Sequence, residues 1–176
     1  GVGQPAPPFA LRNTQGQTVR LEDFKGKPVV LEWTNPGCPF VRKHYNSGNM
    51  PLLQKEARDK GVVWLSVYSH DDEGFGYVKP RQLLEWLRGK RSVAAAVLVD
   101  GDGRLGKSFG ARTTPHMYII GPAGTLVYAG GIDSIASTQE SDIPKATNYV
   151  RQGLGESLAG QPLTVPISRS YGCMIK

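Results

Sequence analysis

The sequence predicts an α/β domain in which a mixed central sheet carries helices on both faces, with an N-terminal hairpin and a C-terminal tail. Two observations support this fold. Continuous apolar runs of strand length, "PVVLEW" at 28–33 and "VVWLSVYS" at 62–69, indicate strands that are buried on both faces. Helix-forming segments follow these runs, so that strands and helices alternate along the chain before a final strand pair.

The first third of the chain supplies the hairpin, one buried strand and one or two helices. An extended arm is predicted for "GVGQPAPPFAL" at 1–11, and a Gly-centred hairpin with a short turn for "NTQGQTVRLEDFKGK" at 13–27. After the first buried strand, a helix is predicted to begin at Pro39 in "PFVRKHY". The segment "PLLQKEARDKG" at 51–61 either continues that helix or opens a second one after the interruption at 47–49.

The remaining elements complete the sheet. A helix is predicted in "PRQLLEWLRGK" at 80–90, a strand in "AAAVLVD" at 94–100 and a short helical connection in "GRLGKSFGA" at 103–111. The strands "MYIIG" and "TLVYAGG" flank a turn at 121–124 and are expected to be antiparallel neighbours. A terminal helix is predicted within 143–160, with its core from Asn148 to Ala159, and "VPISRSYGCMIK" at 165–176 forms the tail.

Length and composition exclude several classes of protein. With 176 residues, the chain is expected to form a single domain over 1–176. Its 21 Lys and Arg against 15 Asp and Glu give a net charge of +6, spread along the chain, which favours a solubilising surface over a nucleic-acid partner. No apolar stretch approaches the roughly 20 residues of a membrane helix, so no membrane insertion is predicted. The oligomeric state is not indicated by the sequence.

Cys38 lies between the first buried strand and the helix that follows it. With Pro39 as the first helical residue, Cys38 becomes the N-cap, and the free N–H groups of the helix face its sulfur. These groups favour the thiolate, and Arg42, one turn along, is predicted to add positive charge. Cysteines so placed commonly have a pKa lowered from about 8.5 to roughly 3.5–7.5, so Cys38 is expected to be nucleophilic. A buried, inert cysteine is the alternative.

A second candidate element is the Thr114-Pro115 pair in "ARTTPHMYII" at 111–120, where the proline opens a predicted strand. A cis peptide bond between these two residues would distinguish the loop, because few X–Pro bonds in folded proteins are cis. A strand, a cysteine at the following helix start and a later Thr-Pro before a strand hairpin are together similar to the thioredoxin superfamily. The resemblance implies a thioredoxin-like fold. It also implies a cis-proline loop that packs beside the reactive sulfur and holds an incoming substrate strand through its backbone.

The resemblance narrows to one branch of that superfamily. The segment at 6–33 resembles the N-terminal part of the redoxin branch, the alkyl hydroperoxide reductase and thiol-specific antioxidant (AhpC/TSA) proteins. Four further segments resemble a peroxiredoxin-like subgroup of this branch: "CPFVRKHYNSGNMPLLQKEARDKGVVWLSVYS", "ARTTPHMYII", "LVYAGGIDS" and "YGCMIK". The resemblance implies an antioxidant oxidoreductase with a redox-active cysteine.

The sequence departs from both related patterns around Cys38. Val41 stands where thioredoxins have the second cysteine of Cys-x-x-Cys, which excludes a local dithiol cycle. Peroxiredoxins carry threonine or serine three residues before the reactive cysteine and proline four residues earlier still, where this chain has Asn35 and Leu31. Asn35 or Thr34 is a candidate donor to a peroxide oxygen, and Arg112 is a candidate to approach the thiolate from the cis-proline loop.

An intermediate at Cys38 must therefore be resolved elsewhere. A mixed disulfide or sulfenic acid could be resolved by Cys173, by a small thiol or by a partner protein. The terminal helix directs the tail back towards the sheet, but the sequence does not place residue 173 within the Cα separation of about 4.4–6.8 Å that a disulfide requires. A Cys173 that is merely packed within the tail is the alternative.

The predicted function is that of a thiol-disulfide oxidoreductase or thiol peroxidase. Cys38 attacks a protein disulfide or a peroxide, Thr114 and Pro115 orient the substrate, and Arg42 and Arg112 stabilise the anion. Cys173 or an external thiol reductant then completes the cycle. No cofactor is predicted.

A non-catalytic binding module for a client peptide or a copper ion is the alternative function. Soft ligands are available at Cys38, His44, His116, Met117, Cys173 and Met174, but their spacings match no established site, so no metal is predicted. The start of the sequence at Gly1 favours a periplasmic or secreted protein, with the cytoplasm as the alternative.

Overall fold

The elements follow the predicted order along the chain. In the computed structural model, which describes residues 1–176, the strands are β1 (Ala10–Arg12), β2 (Thr18–Arg20), β3 (Val29–Trp33), β4 (Val63–Tyr68), β5 (Ala96–Val99), β6 (Thr113–Thr114), β7 (His116–Ile120), β8 (Leu126–Gly130) and β9 (Cys173–Met174). The α-helices are α1 (Pro39–Asn46), α2 (Asn49–Asp59), α3 (Pro80–Gly89), α4 (Arg104–Phe109) and α5 (Tyr149–Leu158). Short 3₁₀ helices lie at Leu21–Phe24 and Glu140–Lys145.

The central sheet has five strands in the order β5-β4-β3-β7-β8. Strand β4 pairs in parallel with β3 and β5, whereas β7 is antiparallel to both β3 and β8. The prediction of a mixed central sheet is thereby confirmed. Every residue of β3 is buried, as its continuous apolar run predicts for a strand covered on both faces.

Helices cover both faces of this sheet. Because side chains alternate along a strand, Val30 and Trp64 pack with the buried residues of α1, α2, α3 and α5, on the face that also holds Cys38. Leu31 and Leu65 point the other way, towards α4, the N-terminal arm and the β1–β2 hairpin. The prediction of helices on both faces is confirmed.

The structure fixes two helix boundaries: it decides between the alternatives left open at 47–49, and it confirms the core predicted for the terminal helix. The interruption at 47–49 separates two helices, because Gly48 adopts a left-handed φ of 80° between α1 and α2. The terminal helix begins at Tyr149, where the Asn148 side chain caps it by accepting a hydrogen bond from the Arg151 N–H at 2.9 Å. Pro144, which has no N–H to donate, lies instead in the preceding 3₁₀ helix.

The C-terminal tail folds back onto the domain and contributes a strand. Its first part lies beside β8, where the Ala129 N–H donates to the Pro166 carbonyl and the Ser168 N–H donates to the Ala129 carbonyl. Its last part forms β9, which pairs with β6 in an antiparallel sheet of two strands. None of the helices combines the length and apolar character that crossing a membrane requires.

Candidate active site at Cys38 and Cys173

Cys38 is the N-cap of α1, as predicted. Its backbone is extended, Pro39 occupies the first helical turn, and the Cys38 carbonyl accepts the first helical hydrogen bond from the Arg42 N–H at 2.9 Å. The loop before it is fixed by Asn35, whose side-chain oxygen accepts from the Gly37 N–H at 2.9 Å. The cysteine is 2% exposed, so its sulfur is shielded from water at the N-terminal end of α1, where its side chain makes no capping hydrogen bond.

The structure joins Cys38 to Cys173 in a disulfide across a sequence separation of 135 residues. The Cα atoms lie 6.0 Å apart, within the range of about 4.4–6.8 Å that disulfides adopt. Neither cysteine is free. Of the arrangements that the sequence left open for Cys173, the structure therefore shows the one in which it pairs with Cys38.

The loop that contains Thr114 and Pro115 packs against this disulfide. The Thr114–Pro115 peptide bond is cis, and the Thr114 carbonyl oxygen lies 3.3 Å from the Cys38 sulfur. In the antiparallel β6–β9 register, Thr114 is opposite Cys173. The backbone of this loop thus holds the strand that carries the second sulfur.

Gly172 allows the tail to lie directly against the loop that contains Thr114 and Pro115. Sequence reasoning did not identify this glycine. Its φ is +146°, and a Cβ atom at this position would overlap the Thr114 carbonyl oxygen and carbon. Any side chain here would have to displace either the tail or the loop. The signal in the sequence was a glycine directly before the cysteine in "YGCMIK".

Tyr171 anchors the tail two residues before Cys173, and sequence reasoning missed it as well. Its hydroxyl donates to the Asp133 carboxylate at 2.6 Å and lies 2.9 Å from Nε2 of His44 and 3.3 Å from Nζ of Lys43. Its ring packs edge-on against Phe40, with the ring centroids 5.7 Å apart. We call this set, Lys43, His44, Asp133 and Tyr171, the tyrosine latch.

The hydrogen bonds of the latch define the tautomer of its histidine. Asn49 donates its amide N–H to Nδ1 of His44 at 2.9 Å, so Nε2 carries the proton and donates to the Tyr171 hydroxyl, which in turn donates to Asp133. Burial, with a smaller contribution from the positive charge of Lys43, lowers the pKa of His44 to about 3. Burial and the Asp133 carboxylate raise the pKa of Tyr171. Near neutral pH the histidine and the phenol are therefore both uncharged.

Neither of the two arginines predicted to stabilise the anion makes a side-chain hydrogen bond to the Cys38 sulfur. The exposed side chain of Arg42 turns back, and its Nε donates to the Pro36 carbonyl at 2.9 Å. Arg112 is also exposed and lines a cavity of about 580 Å³ together with Ser69 and the last three residues of the tail. Helical spacing placed Arg42 one turn from the sulfur, but it does not fix the direction of a long exposed side chain. Their role towards the thiolate stays a prediction.

The two residues considered as donors to a peroxide, Asn35 and Thr34, differ in their hydrogen bonds, and Thr114, which was predicted to orient the substrate, resembles Thr34. The side-chain oxygen of Asn35 accepts from the Gly37 N–H, which leaves its amide nitrogen as the group that could donate. The hydroxyl oxygens of Thr34 and Thr114, by contrast, are buried and have no hydrogen-bond partner. Such groups are uncommon in folded proteins, and at a reactive site they are available to a substrate atom.

The structure does not gather the residues named as possible copper ligands into one metal site, and two of them, Cys38 and Cys173, are joined in the disulfide. His44 uses both ring nitrogens in hydrogen bonds. His116 stacks on Tyr118, with the ring centroids 4.8 Å apart, and Tyr118 belongs to the face of the sheet opposite Cys38. The Arg112 N–H donates to Nδ1 of His116 at 3.1 Å, and burial and the Arg112 charge lower its pKa to about 4. No group of three or more His, Cys, Asp or Glu residues is placed to hold a metal.

A buried carboxyl group on β3 was also missed. Glu32, inside the apolar run before Cys38, accepts hydrogen bonds from Tyr45 at 2.7 Å, Trp64 at 2.8 Å, Ser66 at 2.9 Å and Gln54 at 3.2 Å. These donors favour the ionised form, but burial outweighs them and raises the pKa of Glu32. The charged residue in "PVVLEW" was the available signal.

Comparison with known proteins assigns the chain to a family. The sequence profile of the AhpC/TSA family matches residues 2–129. The chain belongs to the AhpC/TSA family. The predicted redoxin resemblance is thereby confirmed, and the matched residues include Cys38, Thr114 and Pro115, whereas Cys173 lies beyond them.

Relatives of this AhpC/TSA chain include both peroxiredoxins and thiol-disulfide oxidoreductases. It is 28% identical to peroxiredoxin Bcp of Bacillus subtilis over 112 residues, which cover 61% of this chain and 62% of Bcp, less than two thirds of that protein. It is 25% identical to the thiol-disulfide oxidoreductase ResA of Bacillus thuringiensis over 131 residues, which cover 72% of this chain and 67% of ResA. The family therefore indicates thiol redox chemistry.

Solved structures agree with the thioredoxin-like fold. A crystal structure of an uncharacterized conserved protein from Geobacillus kaustophilus matches with a TM-score of 0.85 at 27% identity, covering 100% of this chain and 92% of that one. The exposed lipoprotein thioredoxin of Streptococcus pneumoniae matches with a TM-score of 0.56 at 27% identity, covering 79% of this chain and 96% of that one. The predicted fold class is confirmed.

Proposed function

We propose that the protein is a thiol-disulfide oxidoreductase in which Cys38 is the nucleophile and Cys173 is the resolving thiol. The observation that carries this proposal is the Cys38–Cys173 disulfide, formed while β9 lies as an extended strand on Thr113–Thr114. A peptide segment seated on this loop delivers its cysteine sulfur to Cys38. A disulfide in a partner polypeptide is the substrate that fits this arrangement best.

The first step is attack on the substrate. In the reduced protein, the Cys38 thiolate attacks one sulfur of the substrate disulfide, the substrate S–S bond breaks, and the released substrate thiolate takes up a proton. A mixed disulfide between Cys38 and the substrate results. The N-terminus of α1 favours the Cys38 thiolate before this step, because its unpaired N–H groups carry partial positive charge.

The second step completes the transfer of two electrons. The Cys173 thiolate attacks the Cys38 sulfur of the mixed disulfide, the Cys38–Cys173 bond forms, and the second substrate thiol leaves. The substrate has then gained two electrons and two protons, and the protein is in the state that the structure shows. An external thiol reductant, itself oxidised to a disulfide, returns both cysteines to the thiol form.

Reduction of a peroxide is the second candidate. The buried and unpartnered hydroxyls of Thr34 and Thr114 favour it, since they are available to donate to a peroxide oxygen. Cys38 would attack that oxygen to form a sulfenic acid, with release of water or an alcohol. Cys173 would then displace water from the sulfenic acid to give the same disulfide.

Single-cysteine variants test the proposal. The reduced protein is mixed with oxidised glutathione or with hydrogen peroxide, and the products are mapped by intact-mass and peptide analysis. Wild type should lose two hydrogen atoms and form the Cys38–Cys173 bond. Cys173→Ser should stop at a glutathione adduct or an oxygen adduct on Cys38, and the adduct identifies which of the two reactions Cys38 performs. Unchanged turnover in Cys38→Ser would refute the mechanism, and no turnover of either reagent would favour the client-peptide binding module.

We also propose a periplasmic or secreted location. A disulfide as the state adopted in the structure fits an oxidising compartment, where such bonds persist. Rapid alkylation of thiols in intact cells, followed by mass analysis, should find the protein mainly oxidised. A fully reduced pool would favour the cytoplasm.

A further inference from the structure

The tail occupies a backbone edge that has no other strand beside it. Strand β6 pairs only with β9, and beyond it the Ile175 N–H donates to the Arg112 carbonyl at 3.0 Å. Thr113 and Thr114 are buried, so their backbone groups would lose these partners if the tail left. Unpaired backbone groups at a strand edge are satisfied by another extended segment, which binds mainly through its main chain.

The register of the tail restricts what can replace it. Cys173 reaches Cys38 because it lies opposite Thr114, so a partner cysteine that is to react with Cys38 must take the same position. The residue before that cysteine then lies where Gly172 lies, against the Thr114 carbonyl. A side chain at this point overlaps the carbonyl, which is itself fixed beside the Cys38 sulfur at 3.3 Å.

The neighbouring positions of the tail impose different requirements. Met174, directly after the cysteine, is 68% exposed, so this position accepts side chains of any size. Tyr171, two residues before the cysteine, places its ring against Phe40 and its hydroxyl on Asp133. An aromatic side chain with a hydroxyl is therefore favoured there.

We infer that the groove holding residues 171–174 is a recognition site for an extended partner segment in which glycine directly precedes the reactive cysteine, and that the tail is a tethered copy of this segment. The inference rests on the proposed function and adds a substrate class to it: disulfide-linked polypeptides with a Gly-Cys sequence, preferably Tyr-Gly-Cys. The tail and the partner segment exclude each other from the groove.

The test uses the full chain with its tail displaced. In a Gly172→Ala/Cys173→Ser variant, the added methyl group expels the tail from the groove and Cys38 is the remaining cysteine. The probes are the blocked peptides Tyr-Gly-Cys-Met and Tyr-Ala-Cys-Met, each carrying thionitrobenzoate on its cysteine as a mixed disulfide. Cys38 attacks the peptide sulfur, a Cys38–peptide disulfide forms, and the coloured thionitrobenzoate anion leaves.

The expected result is a rate at least tenfold higher for the glycine peptide than for the alanine peptide. The parent reagent, bis-thionitrobenzoate disulfide, needs no strand pairing and serves as the reference for the reactivity of Cys38. Cys173→Ser alone, which keeps Gly172 and hence the tail, should show the same preference at a lower overall rate. It also supplies the measurement if the double variant does not fold.

The outcomes separate the inference from the proposed function. Equal rates for the two peptides, with Cys38 reactive towards the parent reagent, would overturn the glycine requirement and leave the oxidoreductase intact. A Cys38 that reacts with none of the three reagents in either variant would overturn both. A preference for the alanine peptide would show that the partner binds in another register.

Discussion

Removal of a single oxygen atom, in Tyr171→Phe, should make the Cys38–Cys173 disulfide easier to reduce. The phenylalanine keeps the packing of the ring against Phe40 but removes the hydroxyl that bonds to Asp133 at 2.6 Å and to His44 at 2.9 Å. Both the disulfide and the tyrosine latch require a docked tail. Weakening one therefore makes formation of the other less favourable.

The size of the effect follows from the partners of the hydroxyl. Hydrogen bonds to charged groups contribute about 1.5–3 kcal/mol, and the Asp133 carboxylate is the principal partner. A loss of about 2 kcal/mol in tail docking corresponds to a decrease of about 30-fold in the effective concentration of Cys173 at Cys38, at about 1.4 kcal/mol per factor of ten.

The assay is a redox titration. Wild type and variant are equilibrated in mixtures of reduced and oxidised dithiothreitol, quenched by alkylation, and the oxidised fraction is measured by mass spectrometry. Tyr149→Phe is the matched control, since it removes the same atom from a tyrosine that lines a second cavity, together with Tyr171 and Gly172, but makes no side-chain hydrogen bond. The initial alkylation rate of Cys38 in the fully reduced proteins shows whether the nucleophile itself has changed.

An equilibrium for Tyr171→Phe within twofold of wild type would refute the reasoning. It would mean that the disulfide alone holds the tail, or that the latch stays closed in the reduced protein regardless of the hydroxyl. An equal shift in Tyr149→Phe would also count against the latch, because that change touches none of its hydrogen bonds.

Three further predictions concern the tail and two buried titratable groups. Gly130→Ala should also favour reduction of the disulfide, because its methyl group would overlap Ser168 in the docked tail, whereas the open helical position Gly155→Ala should not; the same titration measures both. The pKa of His44 is lowered to about 3, so its contribution to stability is complete above pH 6.5 and declines as the pH falls. Between pH 7.5 and pH 5, the free energy of unfolding measured in urea should therefore fall by about 2 kcal/mol more in wild type than in His44→Gln. The pKa of Glu32 is raised, so its contribution is complete below its ordinary value of 4.5 and is lost as the pH rises towards the folded-state pKa; Glu32→Gln should remove this decline, and an unchanged pH profile would contradict the assignment.

Interactions between residues close in sequence determine one part of the site, and this part can be predicted from the sequence. Pro39 fixes the first turn of α1 and thereby makes Cys38 its N-cap, and the apolar run before it, of strand length and rich in β-branched residues, predicts a strand buried on both faces. The pairing with Cys173 could not be predicted in this way. Strand β9 has only two residues, too few to show a periodic pattern, and long-range contacts determine its position.

The polar groups around the tail were missed for a related reason. Asp133 lies just after a glycine pair in "LVYAGGIDS", where the sequence indicates an ordinary turn residue. Its functional contact is with Tyr171, which is 38 positions away in the sequence. The same holds for Gly172, whose need for close approach depends on the Thr114 carbonyl. Sequence periodicity reports which face of an element is buried, but not which distant backbone will lie against it.

The proposed role of Cys173 as a resolving thiol on a tail has a kinetic consequence that a neighbouring Cys-x-x-Cys pair would not have. In the structure Cys173 reaches Cys38 while β9 is paired with β6, and the inferred partner segment occupies the same edge. The mixed disulfide therefore cannot be resolved until the partner has released its main-chain hydrogen bonds to Thr113–Thr114 while its sulfur is still bonded to Cys38. Tighter partner binding accelerates the first step and delays the second, and the tyrosine latch acts in the opposite sense by returning the tail. Turnover should consequently be highest for partners whose affinity for the groove is close to that of the tail itself.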